Sequence, residues 1–127
     1  MQFAAGTAVN LFVKLPTTHP GTTGGEYFGR SGANLLWALP GEGGPSLLIH
    51  ASIAFSLVIG AIALFVQSLP SGGRGWRWAS GIAALITLRA LFNGTSFIDC
   101  NKEFNSAIMA GCWLIVVTTL AVILVRT

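Results

Sequence analysis

Three long apolar stretches, each bounded by proline, glycine or charge, occupy the second two-thirds of the chain. They run over Leu47–Leu69, about Trp78–Ile98 and about Ser106–Val125. A helix rises about 1.5 Å per residue, so each stretch has the roughly 20 residues that cross about 30 Å of hydrocarbon. Pro45 precedes the first stretch and Pro70 closes it; Ser71-Gly72-Gly73-Arg74-Gly75 reads as a turn, and Asp99 to Asn105 separates the last two. The pattern predicts three membrane-spanning helices.

The first third is less regular. Met1–Leu15 is apolar and ends at Pro16, with Lys14 near its end instead of the basic start that a secretory signal would carry. It is expected to be a fourth span over about residues 1–15. At roughly 22 Å as a helix it is short for a crossing, which implies tilted neighbours, local thinning or a natural start upstream of Met1. Residues 16–46 are rich in Thr, Gly and Pro, with turn signatures at His19-Pro20-Gly21 and Gly41-Glu42-Gly43-Gly44-Pro45. Unpaired backbone is costly in hydrocarbon, so this segment is expected as a long external loop in water or the interface. Within it Ala33–Leu39 suits one or two helical turns, with Trp37 anchoring at headgroup level. The expected fold is all-α: an integral membrane four-helix bundle, one domain over residues 1–127.

Composition supports that solvent. Of 127 residues, 53% are hydrophobic and 9% charged, too few charges to coat a water-soluble fold of this size. The basic residues also set an expected orientation. Arg74 and Arg77 fall in one short turn and Arg126 follows the last span, which puts that side, and both termini, in the cytoplasm. Lys14, Arg30 and Lys102 are spread through longer segments of the other side, where all four acidic residues, Glu26, Glu42, Asp99 and Glu103, also fall.

The sequence holds no GxxxxGK[ST], GxGxxG, HExxH or GxSxG, and no internal repeat. Two histidines and four carboxylates make a thin inventory for acid–base or metal chemistry. Cys100 and Cys112 form no ligand or redox spacing; Cys112 reads as a small packing residue inside the last span. Asn93-Gly94-Thr95 matches a glycosylation sequon, but at the end of a span.

Polar residues inside the spans carry the most information, because an ionisable group in hydrocarbon costs roughly 3 kcal/mol or more and needs a partner or a wet cavity. Arg89 lies near the middle of the third span, with Asn93 one turn along. His50 lies about a turn inside the second span, and Asn10 in the outer half of the first. Asn10, His50, Arg89 and Asn93 are therefore expected to converge on a ligand pocket roofed by the long loop. The competing reading has Arg89 snorkelling and bonding Asn93 or helix carbonyls with no ligand at all. His50 also suits a haem or metal ligand, a proton-transfer group or a quinone hydrogen bond. Haem between two imidazoles of one chain needs a second intramembrane histidine, and His19 is in the loop, which counts against haem within one chain and leaves a haem shared between chains open.

Small residues recur every four positions at Ser52, Ser56 and Gly60, at Ala90 and Gly94, and at Ala107 and Gly111, as close helix contacts require. The order Gly6-x-x-Val9-Asn10-Leu11-Phe12-Val13, Pro16, His19-Pro20-Gly21, Trp37-Ala38-Leu39, His50, Gly94-x-x-Phe97 and Ser106-x-x-Met109-Ala110 resembles a family of small bacterial four-span membrane proteins with no assigned activity. The resemblance covers most of the chain. It implies topology and a bacterial plasma-membrane location, and nothing about chemistry.

Three functions fit these observations. The leading one is a non-catalytic structural or accessory subunit, packing into a homo-oligomer or against other membrane subunits, with no nucleic-acid partner. The alternative is an anion- or lipid-binding or transport module using Arg89 and His50. The second alternative is a haem- or quinone-binding redox protein built on His50.

Overall fold

The structure, a computed structural model, describes residues 2–13, 15–16, 18–22, 25–100 and 103–126. Lys14 and Lys102, counted above for orientation, lie outside the described residues, as do the side chains of Cys100, Glu103 and Arg126. The described residues are all helical or irregular: α1 (Gln2–Phe12), a 3-10 turn (Pro20–Thr22), α2 (Tyr27–Ala38), α3 (Pro45–Ser71), α4 (Arg74–Cys100) and α5 (Glu103–Arg126). Three of them, α3, α4 and α5, are long and apolar enough to cross a membrane.

The three apolar stretches thus form helices, each running beyond its expected ends. Pro70 sits in the last turn of α3 and does not end it, because the helix continues to Ser71 and stops at Gly72, whose backbone is extended. A proline in that position loses one hydrogen bond at most, with few turns left to disturb. Glycine is required at Gly72: an added Cβ would stand 2.6 Å from the Ser68 carbonyl oxygen. The expected break from Asp99 to Asn105 is also shorter, since α4 runs to Cys100 and α5 begins at Glu103.

The four-span expectation meets its difficulty at the first helix. α1 has 11 residues, about 16 Å of helix, and is not one of the three long enough to cross. Segment 16–46, expected as a loop, contains the 12-residue α2, six residues longer at its start than the turn expected at 33–39. One face of α2, Ser31, Asn34, Trp37 and Ala38, is buried, at the 3–4 residue spacing of an amphipathic helix.

Helix α4 is the centre of the fold. Its start lies against the end of α3, where the buried hydroxyls of Ser68 and Ser80 are 2.8 Å apart. Gly81 admits the ring of Phe65, which a Cβ would approach to 3.2 Å. Along its other side α4 runs antiparallel to α5, with Gly75 near Ile123 and Gly94 near the Met109 sulfur. Helices α3 and α5 flank α4 without packing on each other, and α1 bridges them at one end. That end holds the main core: Val9 of α1, Trp37 and Ala38 of α2, Leu47 and Ala51 of α3, and Phe97 and Ile98 of α4. Gly43 lets α3 close against α2, since a Cβ there would stand 2.4 Å from Leu47 and 2.9 Å from Trp37. The remaining faces are apolar and open, as at Leu57, Ile59, Leu85, Leu114 and Val125, a surface that water penalises and lipid does not.

Candidate functional site

Two sites occupy the α2 end of the molecule. One is a polar cap over the end of α4. The other is a cavity beneath it.

The cap is made by α2 and the turn before it. The 3-10 turn begins beside His19, where Thr22 donates its hydroxyl to the His19 carbonyl at 2.7 Å. His19 is thereby held with its ring stacked on Trp37, centroids 5.5 Å apart, and its Nδ1 2.9 Å from Asn34 Oδ1. Asn34 is fully buried and donates its amide to the Thr95 carbonyl at 3.4 Å. One turn back along α2, the Arg30 guanidinium lies 3.2 Å from the largely buried Asp99 carboxylate. At the start of α2 the Tyr27 hydroxyl meets Ser96, and Phe28 sets its edge on Phe92. These groups satisfy polar atoms that an apolar helix end would otherwise bury unpaired. The sequence pattern gives Arg30, Asn34 and Asp99 no site role, because the buried face of α2 carries the polar Ser31 and Asn34 and so forms no apolar stripe.

The cavity, about 770 Å³, is partly open. Its floor is the Ala83, Thr87, Ala90 and Gly94 face of α4, and its sides are α3 and α5. α1 lines it at the α2 end through Gly6 and Asn10, and Leu35 and Ala38 of α2 reach it as well. Most polar groups along the walls bond their own helix: Ser56 donates to the Ser52 carbonyl, Thr87 to Ala83 and Thr95 to Phe92. Ser106 donates to Asn10 Oδ1 at 3.3 Å, joining α5 to α1. His50 differs. Its ring lies under Gly6, where a Cβ would come within 3.0 Å of Cε1, and its buried Nδ1 has no hydrogen-bond partner.

The four residues expected to converge therefore divide into two pairs. Asn10 and His50 line the cavity together. Arg89 is exposed and does not line it, and the Asn93 amide donates to the Arg89 carbonyl at 2.9 Å within α4. The reason is helical geometry. At about 100° per residue, Trp78, Ile82, Leu85, Arg89 and Phe92 form one exposed stripe of α4, on the side opposite Ala83, Thr87, Ala90 and Gly94. Shared depth in a span does not give a shared face. The small-residue stripe was the signal for the inward side.

The small-residue positions also divide. Ala90 and Gly94 line the cavity floor, with Gly94 close to Met109. Gly60 and Gly111 have no atom within 4 Å of an added Cβ, and Ser52, Ser56 and Ala107 are exposed. Among the described residues no three His, Cys, Asp or Glu side chains stand together as a metal site. His19 and His50 serve different places: His19 the cap, His50 the cavity.

No protein-family model, curated protein or solved structure matches this chain.

Proposed function

We propose that this is a non-catalytic integral membrane protein that binds a membrane amphiphile in the cavity between α3 and α5, with the polar end at His50 and the apolar tail along the α4 floor. The observation that carries the reading is the unpartnered Nδ1 of His50, a residue that lines a largely apolar cavity. A buried nitrogen without a hydrogen bond costs about 1–3 kcal/mol, and a turn of the ring that presents it to a ligand hydroxyl or carbonyl removes that cost. A volume of about 770 Å³ suits a small-molecule site, and a cavity walled by spans receives its ligand from the bilayer. Arg89 has no part in this site. The ligand class is a neutral amphiphile with a hydrogen-bonding head, a quinone or a lipid carbonyl, in place of an anion.

Native mass spectrometry of the detergent-purified protein tests this. The parent should carry one amphiphile per chain. His50→Leu, which removes the nitrogen, and Ala61→Trp, which fills the cavity wall, should each deplete it. A parent without bound amphiphile, or both variants with full occupancy, would overturn the reading.

A second reading is supported by Gly60 and Gly111, whose open faces suit the close approach of another helix. In that reading a second copy, or another membrane subunit, docks at Gly60, where the amphiphile is placed here, or on the outer face of α5 at Gly111. It predicts a change of oligomer mass in Gly60→Leu with no loss of small ligand.

A further inference from the structure

At the opposite end of the molecule, where α3 turns into α4, a second hollow of about 660 Å³ has a mixed lining. Arg74 and Arg77 line it, and so do Phe65, Ile82 and Leu85 further along the helices. Arg74 and Arg77 are three residues apart on α4, hence neighbours on one face, and both are exposed. Among the described side chains the carboxylates are far away. Asp99 closes the other end of α4, about 37 Å from Arg74 at 1.5 Å per residue; Glu103 opens α5 beside it, and Glu26 and Glu42 flank α2. Among the described residues the two guanidinium groups therefore meet no carboxylate.

We propose that this hollow binds an anionic glycerophospholipid, with the phosphate on Arg74 and Arg77 and an acyl chain along Phe65, Ile82 and Leu85. Two planar donor forks on one helical turn suit a phosphate diester, which accepts from both. The apolar strip separates a lipid from a free phosphate. Leu85 is about 16 Å of helix beyond Arg74, the reach of an acyl chain and of no use to an inorganic ion. Gly81 shapes the strip, because the absence of its side chain lets the Phe65 ring lie on α4. Exposed Trp78 lies at the level where an amphipathic ring meets headgroups. Basic pockets between spans take anionic headgroups in this way. The site lies on the α4 side away from the His50 cavity and is independent of it.

The test is native mass spectrometry of the full chain titrated with phosphatidylglycerol or phosphatidylcholine of the same acyl composition. The parent should prefer phosphatidylglycerol about 25-fold, from about fivefold for each of the two basic groups. The double variant Arg74→Gln/Arg77→Gln should lose that preference, whereas Arg89→Gln, which removes a cation from elsewhere on α4, should keep it. Both arginines are exposed, so circular dichroism should show the fold unchanged. Equal binding of the two lipids by the parent, or an undiminished preference in the double variant, would overturn the proposal. Displacement of phosphatidylglycerol by an equal concentration of inorganic phosphate would overturn it too, because the acyl strip would then contribute nothing.

Discussion

Arg30 and Asp99, one in the segment that reads as a loop and one at the end of a span, meet at 3.2 Å. The pair fastens α2 to α4. Arg30 is partly exposed, so solvent screening holds its contribution to about 1 kcal/mol or less. Asp99→Asn should lower the melting temperature slightly while raising amide exchange in α2 well above that in α3 or α5. Uniform exchange across all helices would show that the pair does not hold α2.

A larger effect is expected at Asn34. This side chain is fully buried and joins His19 to the Thr95 carbonyl. Asn34→Ala leaves the buried His19 ring nitrogen without that partner, which costs about 1–3 kcal/mol, while the Thr95 carbonyl keeps its bond within α4. His19→Phe keeps an aromatic ring over Trp37 and should cost less than Asn34→Ala, as read by thermal melting in detergent. The reverse order would show that the polar contacts of His19 hold the cap more than Asn34 does.

Gly43 offers a steric test. A Cβ there overlaps both Leu47 and Trp37, so Gly43→Ala should destabilise the α2–α3 junction by about 1–3 kcal/mol. Gly60→Ala meets nothing and should be neutral apart from helix propensity. Equal melting temperatures for the two variants would show that the junction closes differently.

Orientation rests on Arg74 and Arg77. In a Cys100→Ser background, Gly73→Cys should react with a membrane-permeant thiol reagent alone, and Glu26→Cys with an impermeant one. The opposite labelling would invert the topology.

The long helices were legible because nothing else accounts for three apolar stretches of about 20 residues between turn signals. The start of α2 was not. Tyr27-Phe28-Gly29-Arg30-Ser31-Gly32 carries two glycines and no apolar periodicity of its own, and its helix is held from outside, by Ser96, Phe92 and Asp99. The short α1 shows the limit of composition: Met1–Leu15 is largely apolar, yet the described helix ends at Phe12. At the candidate site His50 and Asn10 were legible as polar residues in apolar surroundings. Their separation from Arg89 was not, because hydropathy gives depth while the facing of α4 follows from which stripe is small enough to pack. Asn34 and His19 became visible only once α2 folded back on α4.

The central claim is that the groove between α3 and α5 holds a membrane amphiphile. A photoreactive amino acid in place of Leu64, which lines the cavity, tests it most directly when irradiated in native membranes and followed by intact mass spectrometry. The account predicts an adduct with the mass of a single small amphiphile, abolished by Ala61→Trp in the same chain. An adduct with the mass of a second copy of the protein, or of another polypeptide, would contradict it and assign the groove to a helix.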